Sequence, residues 1–395
     1  MARPVVLTLV HYYLPGYKSG GPIRTIANLV DHLGDELDFR IVTADRDATD
    51  AVPYPNVTVD KWNGVGKARV YYSSPAARGV HRLARLVAAT PHDILYFNSF
   101  FDAVFTARTL IGRAMGLAPR RPVIIAPRGE FAPAALASKR WKKRPYLSIA
   151  RALGLSRSVI WQASSEYEAE DILRMMRPSE SRVKIAPNLP AVVRSQSAPV
   201  APRGQEEALR IAFVARIAPI KNLDFALRVL SRVSAPVEFG IYGPMRDPVF
   251  WSRCEELIRA LPAHVKARYH GPVTPAEVPN VMAQHDLFFL PTQGENYGHV
   301  IPEALSSGTP VLIANTTPWR GLQEAGAGWD LPLADEDQFV ARIEDYARLT
   351  PAQRGLARGL ALAYITERLA SPASLEANRA LFAAGLSMGN GRAVV

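Results

Sequence analysis

The sequence predicts an α/β protein of two Rossmann-like domains facing a central cleft. Three observations carry this expectation. Short apolar runs alternate with amphipathic helical patterns through both halves of the 395 residues. The runs are apolar throughout rather than at every second position, as in parallel strands covered on both faces. The alternation breaks once, near Pro190, at AVVRSQSAPVAPRGQEEA, a stretch without period that reads as a linker.

In chain order, the candidate strands of the first half are Val5–Val10, Phe39–Thr43, Arg69–Tyr72, Ile94–Phe97, Val123–Ala126, Val159–Ala163 and Val183–Ala186. Between them lie segments such as IRTIANLVDHLG and SEYEAEDILRMM, apolar at helical spacing. After the linker come Arg210–Ala215, Val237–Tyr242, Val265–Tyr269, Leu287–Leu290 and Val311–Ala314. The expected boundaries are 1–190 for an N-terminal acceptor-side domain, 191–208 for the linker and 209–371 for a C-terminal domain. A last helix, about 372–388, is expected to pack back on the first domain, and SMGNGRAVV to fray. There is no internal repeat. Ligands of such sheets gather at the carboxyl ends of the strands, so those ends are where chemistry is sought.

Composition narrows the classes. Hydrophobic residues make up 48%, which fits globular domains rather than disorder. Cys254 is the single cysteine, so an intramolecular disulfide and a cysteine-based metal site are excluded, and a reducing, cytoplasmic setting fits. No apolar run approaches the ~20 residues of a spanning helix. The start MARPVVLTLV has too short an apolar core for a signal peptide and reads as a buried first strand. The net charge of +11 lies in the first half: residues 1–200 carry 28 Lys/Arg against 16 Asp/Glu, residues 201–395 carry 19 against 20. An anionic partner for that half follows. Nucleic acid is not expected, because no helix-turn-helix, RNP or zinc pattern is present. His92, His270 and His299 are scattered without metal-ligand spacing; they read as edge or surface histidines, with His299 nearest to ligand, and no metal site is expected.

The segment DLFFLPTQGENYGHVIPEALSSGTPVLIA reads as strand, loop, helix, turn and strand. Gly294 and Gly298 bracket a loop that must turn tightly or approach a ligand. A helix is expected from about Gly298 or His299, with Pro302 tolerated only in its first turn. Free amides and the dipole there favour a phosphate. Glu295 precedes the helix and Glu303 falls in or near its first turn. Each carboxylate can accept two sugar hydroxyls at once.

This string is similar to the hallmark of retaining glycosyltransferases of family 4, also called glycosyl transferases group 1, which have GT-B architecture. The hallmark E-x-[FY]-G-x-x-x-x-E-A-x-x-x-G-x-P-V is met by Glu295, Tyr297, Gly298, Glu303, Ala304, Gly308, Pro310 and Val311. At motif level the resemblance covers about residues 205–335. It implies that Glu303 grips the ribose and Glu295 the transferred sugar, with Asn296, Tyr297, Gly298 and His299 lining the donor. The strand LRIAFVAR and IAPIK resemble the family's G-R-x-x-x-x-K element, so Arg216 and Lys221 are expected to hold the donor diphosphate; Ala215 replaces the usual Gly. Two cations at a strand's carboxyl end neutralise a leaving diphosphate without a metal, and no cofactor is expected. Glu295, Arg216 and Lys221 are the candidate catalytic residues. FGIYGPM and RYHGPV place Gly243 and Gly271 on the same edge, and the resemblance seats the nucleobase near Val273.

In the first half, Gly20 and Gly21 form a loop between first strand and first helix that resembles the family's donor-closing loop, with Lys18 and Arg24 beside it. Where many members carry a histidine at a strand end, this chain reads PRGEF, so Arg128 and Glu130 are acceptor-side candidates; a local ion pair is the structural alternative. The run Lys139–Arg144 contains Trp141 and precedes an apolar helix, a pattern that fits docking on an anionic membrane, with an ordinary solvated basic face as the alternative. The resemblance implies transfer of a hexose-type sugar from a nucleoside-diphosphate sugar, with retention, to a glycan or lipid-linked hydroxyl in surface polysaccharide or glycolipid assembly. The protein would be cytoplasmic, or peripheral on the inner face of the membrane. A sugar-nucleotide epimerase and a non-catalytic sugar-nucleotide-binding subunit are the rival readings.

Overall fold

The computed structural model describes residues 2–48, 50–137, 140–152, 154, 159–191, 207–245 and 247–390. The chain divides into two units, Met1–Val192 with Pro372–Val395, and Val193–Ser371. Most of the expected linker, 192–206, lies outside the described residues.

The first unit is built on eight strands: β1 (Val5–Leu9), β2 (Asp38–Ala44), β3 (Trp62–Val65), β4 (Ala68–Ser73), β5 (Ile94–Phe97), β6 (Val123–Ile125), β7 (Ile160–Ala163) and β8 (Val183–Ile185). Their order is β3-β4-β2-β1-β5-β6-β7-β8. All neighbours are parallel except β3 on β4. The sheet is apolar on both faces because each face meets helices. Leu7, Leu9, Leu95, Phe97, Val123 and Ile125 point to one side, with Leu83, Val87 and Ile172 of the covering helices. Val6, Phe39, Ile41, Ile94 and Ile124 point to the other, with Ile26, Leu29 and Leu33 of helix Gly21–Leu33.

That second face is completed by helix Ala373–Asn390, from the far end of the chain. Leu381 and Phe382 are buried in its core. Asn378 Nδ2 donates to the carbonyl of Pro187 at 2.8 Å, and Arg379 pairs with Glu36 at 2.6 Å. Gly385 lets the helix press on the sheet: a Cβ there would lie 2.9 Å from Ile94 Cδ1. The expected fray starts late, since Ser387–Asn390 are helical; 391–395 lie outside the described residues.

The second unit has six parallel strands: β9 (Leu209–Val214), β10 (Val237–Tyr242), β11 (Val265–Gly271), β12 (Leu287–Leu290), β13 (Val311–Ala314) and β14 (Gly328–Leu331). Their order, β11-β10-β9-β12-β13-β14, reverses direction of travel between β9 and β12. Loops leaving those two strands diverge, which opens a crevice at their carboxyl ends.

Two strands escaped the sequence pattern. β3 (WNGV) and β14 (GWDL) are short edge strands of mixed polarity, and neither carries the apolar run that marks a central strand. Gly328 in β14 has φ 143, and a Cβ would meet Val311 O at 2.0 Å, so backbone proximity rather than side-chain pattern defines it.

Candidate active site

In the second unit, the chain leaving β9 passes Arg216, makes a short 3-10 turn at Pro219–Lys221, and enters helix Leu223–Leu230. Asn222, at φ 62, joins turn to helix; the left-handed region suits asparagine, and its Nδ2 donates to Pro291 O at 2.9 Å. The loop leaving β12 returns the tie. Gln293 N and Thr292 Oγ1 both donate to Ile220 O, at 2.8 and 3.0 Å. The segment leaving β13 joins through Thr316 Oγ1, which donates to Thr292 O at 2.6 Å, and through its own carbonyl, which receives Glu295 N at 3.4 Å. Trp319 Nε1 donates to Tyr297 O at 2.6 Å, its ring edge-on to Tyr297.

Three strand-end segments are thus bonded into one frame, and the frame sets Lys221 against Glu295. Lys221 Nζ is ion-paired with Glu295 Oε1, and both side chains are largely withdrawn from water. Two residues 74 apart in sequence meet directly. In such surroundings a lone charge is costly, and each side chain is the other's counter-charge.

Gly298, at φ 73, turns the chain before helix Val300–Ser306. The helix therefore starts after His299, which takes its N-cap position, rather than at Gly298. Pro302 and Glu303 fall in its first turn, with Glu303 half-buried. Asn296, Tyr297 and His299 stay on the loop, half-buried, the Tyr297 and His299 rings 4.8 Å apart. Gly294 differs from Gly298: a Cβ there would meet open space and its φ is not positive, so packing does not explain it.

On the other side of β9, Ala215 N donates to Tyr242 O at 3.0 Å, and Gly243 N to Gly271 O at 2.8 Å. Gly243 has φ 138, and a Cβ would lie 1.9 Å from Ala215 O. Glycine is required there by the approach of the next strand end. Arg216 is exposed at this edge, Val273 half-buried against the core. His270 stacks on Tyr242 at 4.6 Å, with its basicity lowered by burial and Arg268.

The carboxyl edge of the first unit is organised differently. Gly20, at φ 67, caps helix Gly21–Leu33. The preceding loop is pinned by Asp47, whose Oδ2 accepts from Tyr17 N and Lys18 N at 2.7 and 3.0 Å, and Lys18 Nζ pairs with Asp50. Burial lowers Arg24 to about 10, which leaves it charged at neutral pH.

Arg128 and Glu130 do not pair with one another. Arg128 Nε donates to Asn98 Oδ1 at 2.7 Å, and its terminal nitrogens to Asn188 Oδ1 and the Tyr96 hydroxyl. Its backbone is left-handed, φ 56, and is followed by Gly129 at φ 77. Glu168 holds that turn: it accepts from Gly129 N at 2.6 Å and from Ser164 N at 2.8 Å. Glu130 accepts from Ser99 Oγ, Phe100 N and Phe101 N at 2.6, 2.7 and 3.1 Å. Burial raises its pKa in spite of those bonds. Both acceptor-side candidates therefore hold loops in place. His92, expected at an edge or surface, is buried, with Nδ1 bonded to Thr90 O at 2.6 Å. The sheet needs a filled position at the amino end of β5, and a two-residue bond meets its polar atom locally.

One feature of this edge escaped the sequence reading. His11 follows β1, and its Nδ1 lies 3.2 Å from Asp102 Oδ2. The partners are 91 residues apart, and no spacing rule links them. Glu168, Asn222 and Trp319 were missed for a similar reason: each acts through backbone groups of a distant segment.

The basic run is described in part, because Lys139 lies outside the described residues. Helix Arg140–Ala152 leaves Trp141 74% and Ile149 59% exposed. Lys143 is held by Ala135 O at 2.6 Å and lies over the Phe101 ring. No helix among the described residues is long and apolar enough to cross a membrane.

Comparison with known proteins adds a family match for part of the second unit. Residues 208–348 match glycosyl transferases group 1. A curated relative, an uncharacterized 41.2 kDa protein in the cps region of Klebsiella pneumoniae, is 26% identical over 233 residues, 56% of this chain. The match spans 60% of that relative's length. Among solved structures, Anabaena HepE in complex with UDP and glucose superposes with TM-score 0.67 at 15% identity, covering 98% of this chain and 100% of its own. Sucrose-phosphate synthase from Thermosynechococcus elongatus gives 0.68 at 17%, covering 97% and 100%. WaaG, a glycosyltransferase involved in lipopolysaccharide biosynthesis, gives 0.64 at 14%, covering 95% and 98%. The shared fold is GT-B, with two Rossmann-like domains.

Proposed function

We propose, from the premise that residues 208–348 form a glycosyl transferases group 1 domain, that this chain is a nucleotide-sugar-dependent glycosyltransferase acting with retention. The observation that carries the reading is the Lys221–Glu295 pair, held at the carboxyl edge of the second sheet inside the E-x7-E segment. A nucleoside-diphosphate sugar offers each partner a replacement. Its diphosphate takes the ammonium of Lys221, with Arg216 beside it, and the sugar hydroxyls take Glu295. The pair is thus a preorganised site whose two charges are released by one ligand. Glu303, in the first turn of the following helix, receives the ribose hydroxyls.

During transfer, the bond from the anomeric carbon to the diphosphate oxygen breaks and its electrons stay on the diphosphate. Arg216 and Lys221 stabilise that charge where it develops. Neither carboxylate is assigned to proton transfer, so the two-carboxylate scheme of glycosidases does not apply. With two cations on the leaving group, transfer proceeds in the presence of a chelator. The UDP of the HepE complexes and the cps-region setting of the Klebsiella relative support a nucleotide-sugar donor and an acceptor in surface polysaccharide assembly. Exposed Trp141 and Ile149 on a basic helix support peripheral docking on anionic lipid, tested by flotation with phosphatidylglycerol vesicles; no binding at low salt removes this part.

A thermal-shift screen of nucleoside diphosphates and their sugars identifies the donor. Glu303→Ala is expected to weaken donor affinity by roughly 10–100-fold, about 1.4–2.7 kcal/mol, in an intact fold. Unchanged affinity would remove Glu303 from the site. An epimerised product from donor alone would replace transferase by epimerase.

A further inference from the structure

We propose, on the transferase reading above, that Trp319 is a positioning residue for the donor sugar: it holds the peptide beside which Glu295 is set. Every contact involved lies within the second unit. Trp319 is 4% exposed and belongs to the core of that unit. Its ring meets Tyr297 edge-on at 5.4 Å, and its Nε1 donates to the Tyr297 carbonyl at 2.6 Å. That carbonyl belongs to the peptide joining Tyr297 to Gly298. Gly298, at φ 73, lies close to the carboxylate side chain: a Cβ there would be 3.5 Å from Glu295 Cγ. The peptide held by the indole therefore runs alongside Glu295, on the turn that brings its carboxylate to Lys221.

Burial of the ring alone does not require this bond. Trp161 of the first unit is fully buried, and its Nε1 has no partner among the described residues. Trp319 instead spends its N–H on a loop 22 residues away. A buried N–H parted from its acceptor is costly, so the loop is drawn back to the indole whenever it moves off.

The indole is itself held from behind. Trp319 N donates to Thr317 Oγ1 at 3.3 Å. The carbonyl of Arg320 accepts from Tyr364 Oη at 2.8 Å and from Arg368 Nη2 at 3.4 Å. The Arg368 guanidinium lies 5.9 Å from the centre of the Trp319 ring and 5.0 Å from that of Tyr364. Both residues come from helix Pro351–Ala370. A chain of contacts thus runs from that helix through Trp319 to the loop carrying Glu295. Lys221 stands on another segment, the 3-10 turn after β9, outside this chain. Trp319 therefore governs how the sugar is held and leaves the diphosphate to the cations.

The test compares the full chain with Trp319→Phe, which keeps an aromatic ring and removes the N–H. Hydrogen exchange without ligand is read by mass spectrometry, and affinities for UDP and UDP-glucose by calorimetry. Peptides covering residues 293–299 should exchange roughly 10-fold faster in the variant, with β12 and β13 unchanged. UDP-glucose affinity should fall roughly 10-fold or more, and UDP affinity by less than about 3-fold. Unchanged exchange at 293–299, or an increase spread through the second unit, would overturn the proposal. Equal losses for the two ligands, or none for UDP-glucose, would do the same, because a merely structural tryptophan does not separate sugar from diphosphate. Should Trp319→Phe fail to fold, Arg368→Met, at an exposed position, takes its place: exchange at 293–299 should rise about 3-fold, and no rise there overturns the proposal. If the parent chain binds neither ligand, it is the transferase reading with this donor that fails, and the exchange result still decides whether Trp319 holds the Glu295 loop.

Discussion

The two units share an architecture and differ in what they do with its carboxyl edge. In the second, the strand-end loops are cross-bonded through backbone groups, and the frame sets two charged side chains against each other. In the first, the charged side chains at the edge are absorbed. Arg128 is spent on Asn98, Asn188 and Tyr96, Glu168 on Gly129 and Ser164, Glu130 on three donors of one loop. One edge holds exchangeable charge, suited to an anionic ligand. The other is a polar platform whose charged side chains hold its own loops. Identical residue types therefore carry different meaning on the two sheets, decided by whether their partners are each other or the backbone.

The contrast can be broken most severely at Gly243. Gly243→Ala puts a methyl within 1.9 Å of Ala215 O at a φ that L residues avoid. A stability loss of roughly 3 kcal/mol or more is expected, read by urea denaturation. A loss under 1 kcal/mol would show that β9 and β10 do not need their close approach.

Next is Arg128→Met. If the first edge is a structural platform, removing the guanidinium leaves Asn98, Tyr96 and Asn188 without their donor, at a cost of about 2–4 kcal/mol. Nucleotide affinity should stay within a factor of about two. A stable variant with weak nucleotide binding would move Arg128 into the donor site and erase the contrast. Lys221→Met should do the reverse, with nucleotide affinity down ~100-fold, about 2.7 kcal/mol. A smaller stability loss accompanies it, because Glu295, largely withdrawn from water, is left without its cation.

Asp102 sharpens the comparison through pH. Its folded pKa is depressed, so its stabilisation is complete above the unfolded value of ~3.9 and is lost as pH falls through the lower folded value. Asp102→Asn should flatten the acid limb of the stability curve. The smallest effect is expected at the exposed Arg379–Glu36 pair, where Glu36→Gln should cost no more than ~1 kcal/mol and less in high salt.

Much of the second unit's site was legible because its parts are contiguous. Glu295, Tyr297, Gly298 and Glu303 sit on one loop and helix, so strand, turn and helix signals place them together. That Lys221 meets Glu295 was not legible, since the contact depends on how two loops bond across β9 and β12. The fold was read from apolar runs, and only edge strands without such runs, β3 and β14, escaped. In the first unit, the sequence offered Arg128 and Glu130 as acceptor-side candidates or a local ion pair, because burial and partners of polar groups leave no periodic trace. Helix SEYEAEDILRMM showed its apolar stripe and concealed that Glu168 faces inward. His11 and Asp102 carry no motif in the sequence, and their contact spans 91 residues.

The helix Ala373–Asn390 has a consequence for the order in which the protein is made. The first sheet emerges from the ribosome early, but one face of it stays only partly covered until Leu381 and Phe382 arrive. The whole second unit, Val193–Ser371, is synthesised in between. The second unit can therefore complete its core during translation, while the first must wait with part of the surface of Phe39, Ile94 and Ile124 still open. A chain that stops before residue 373 therefore joins a complete second unit to an unfinished first one.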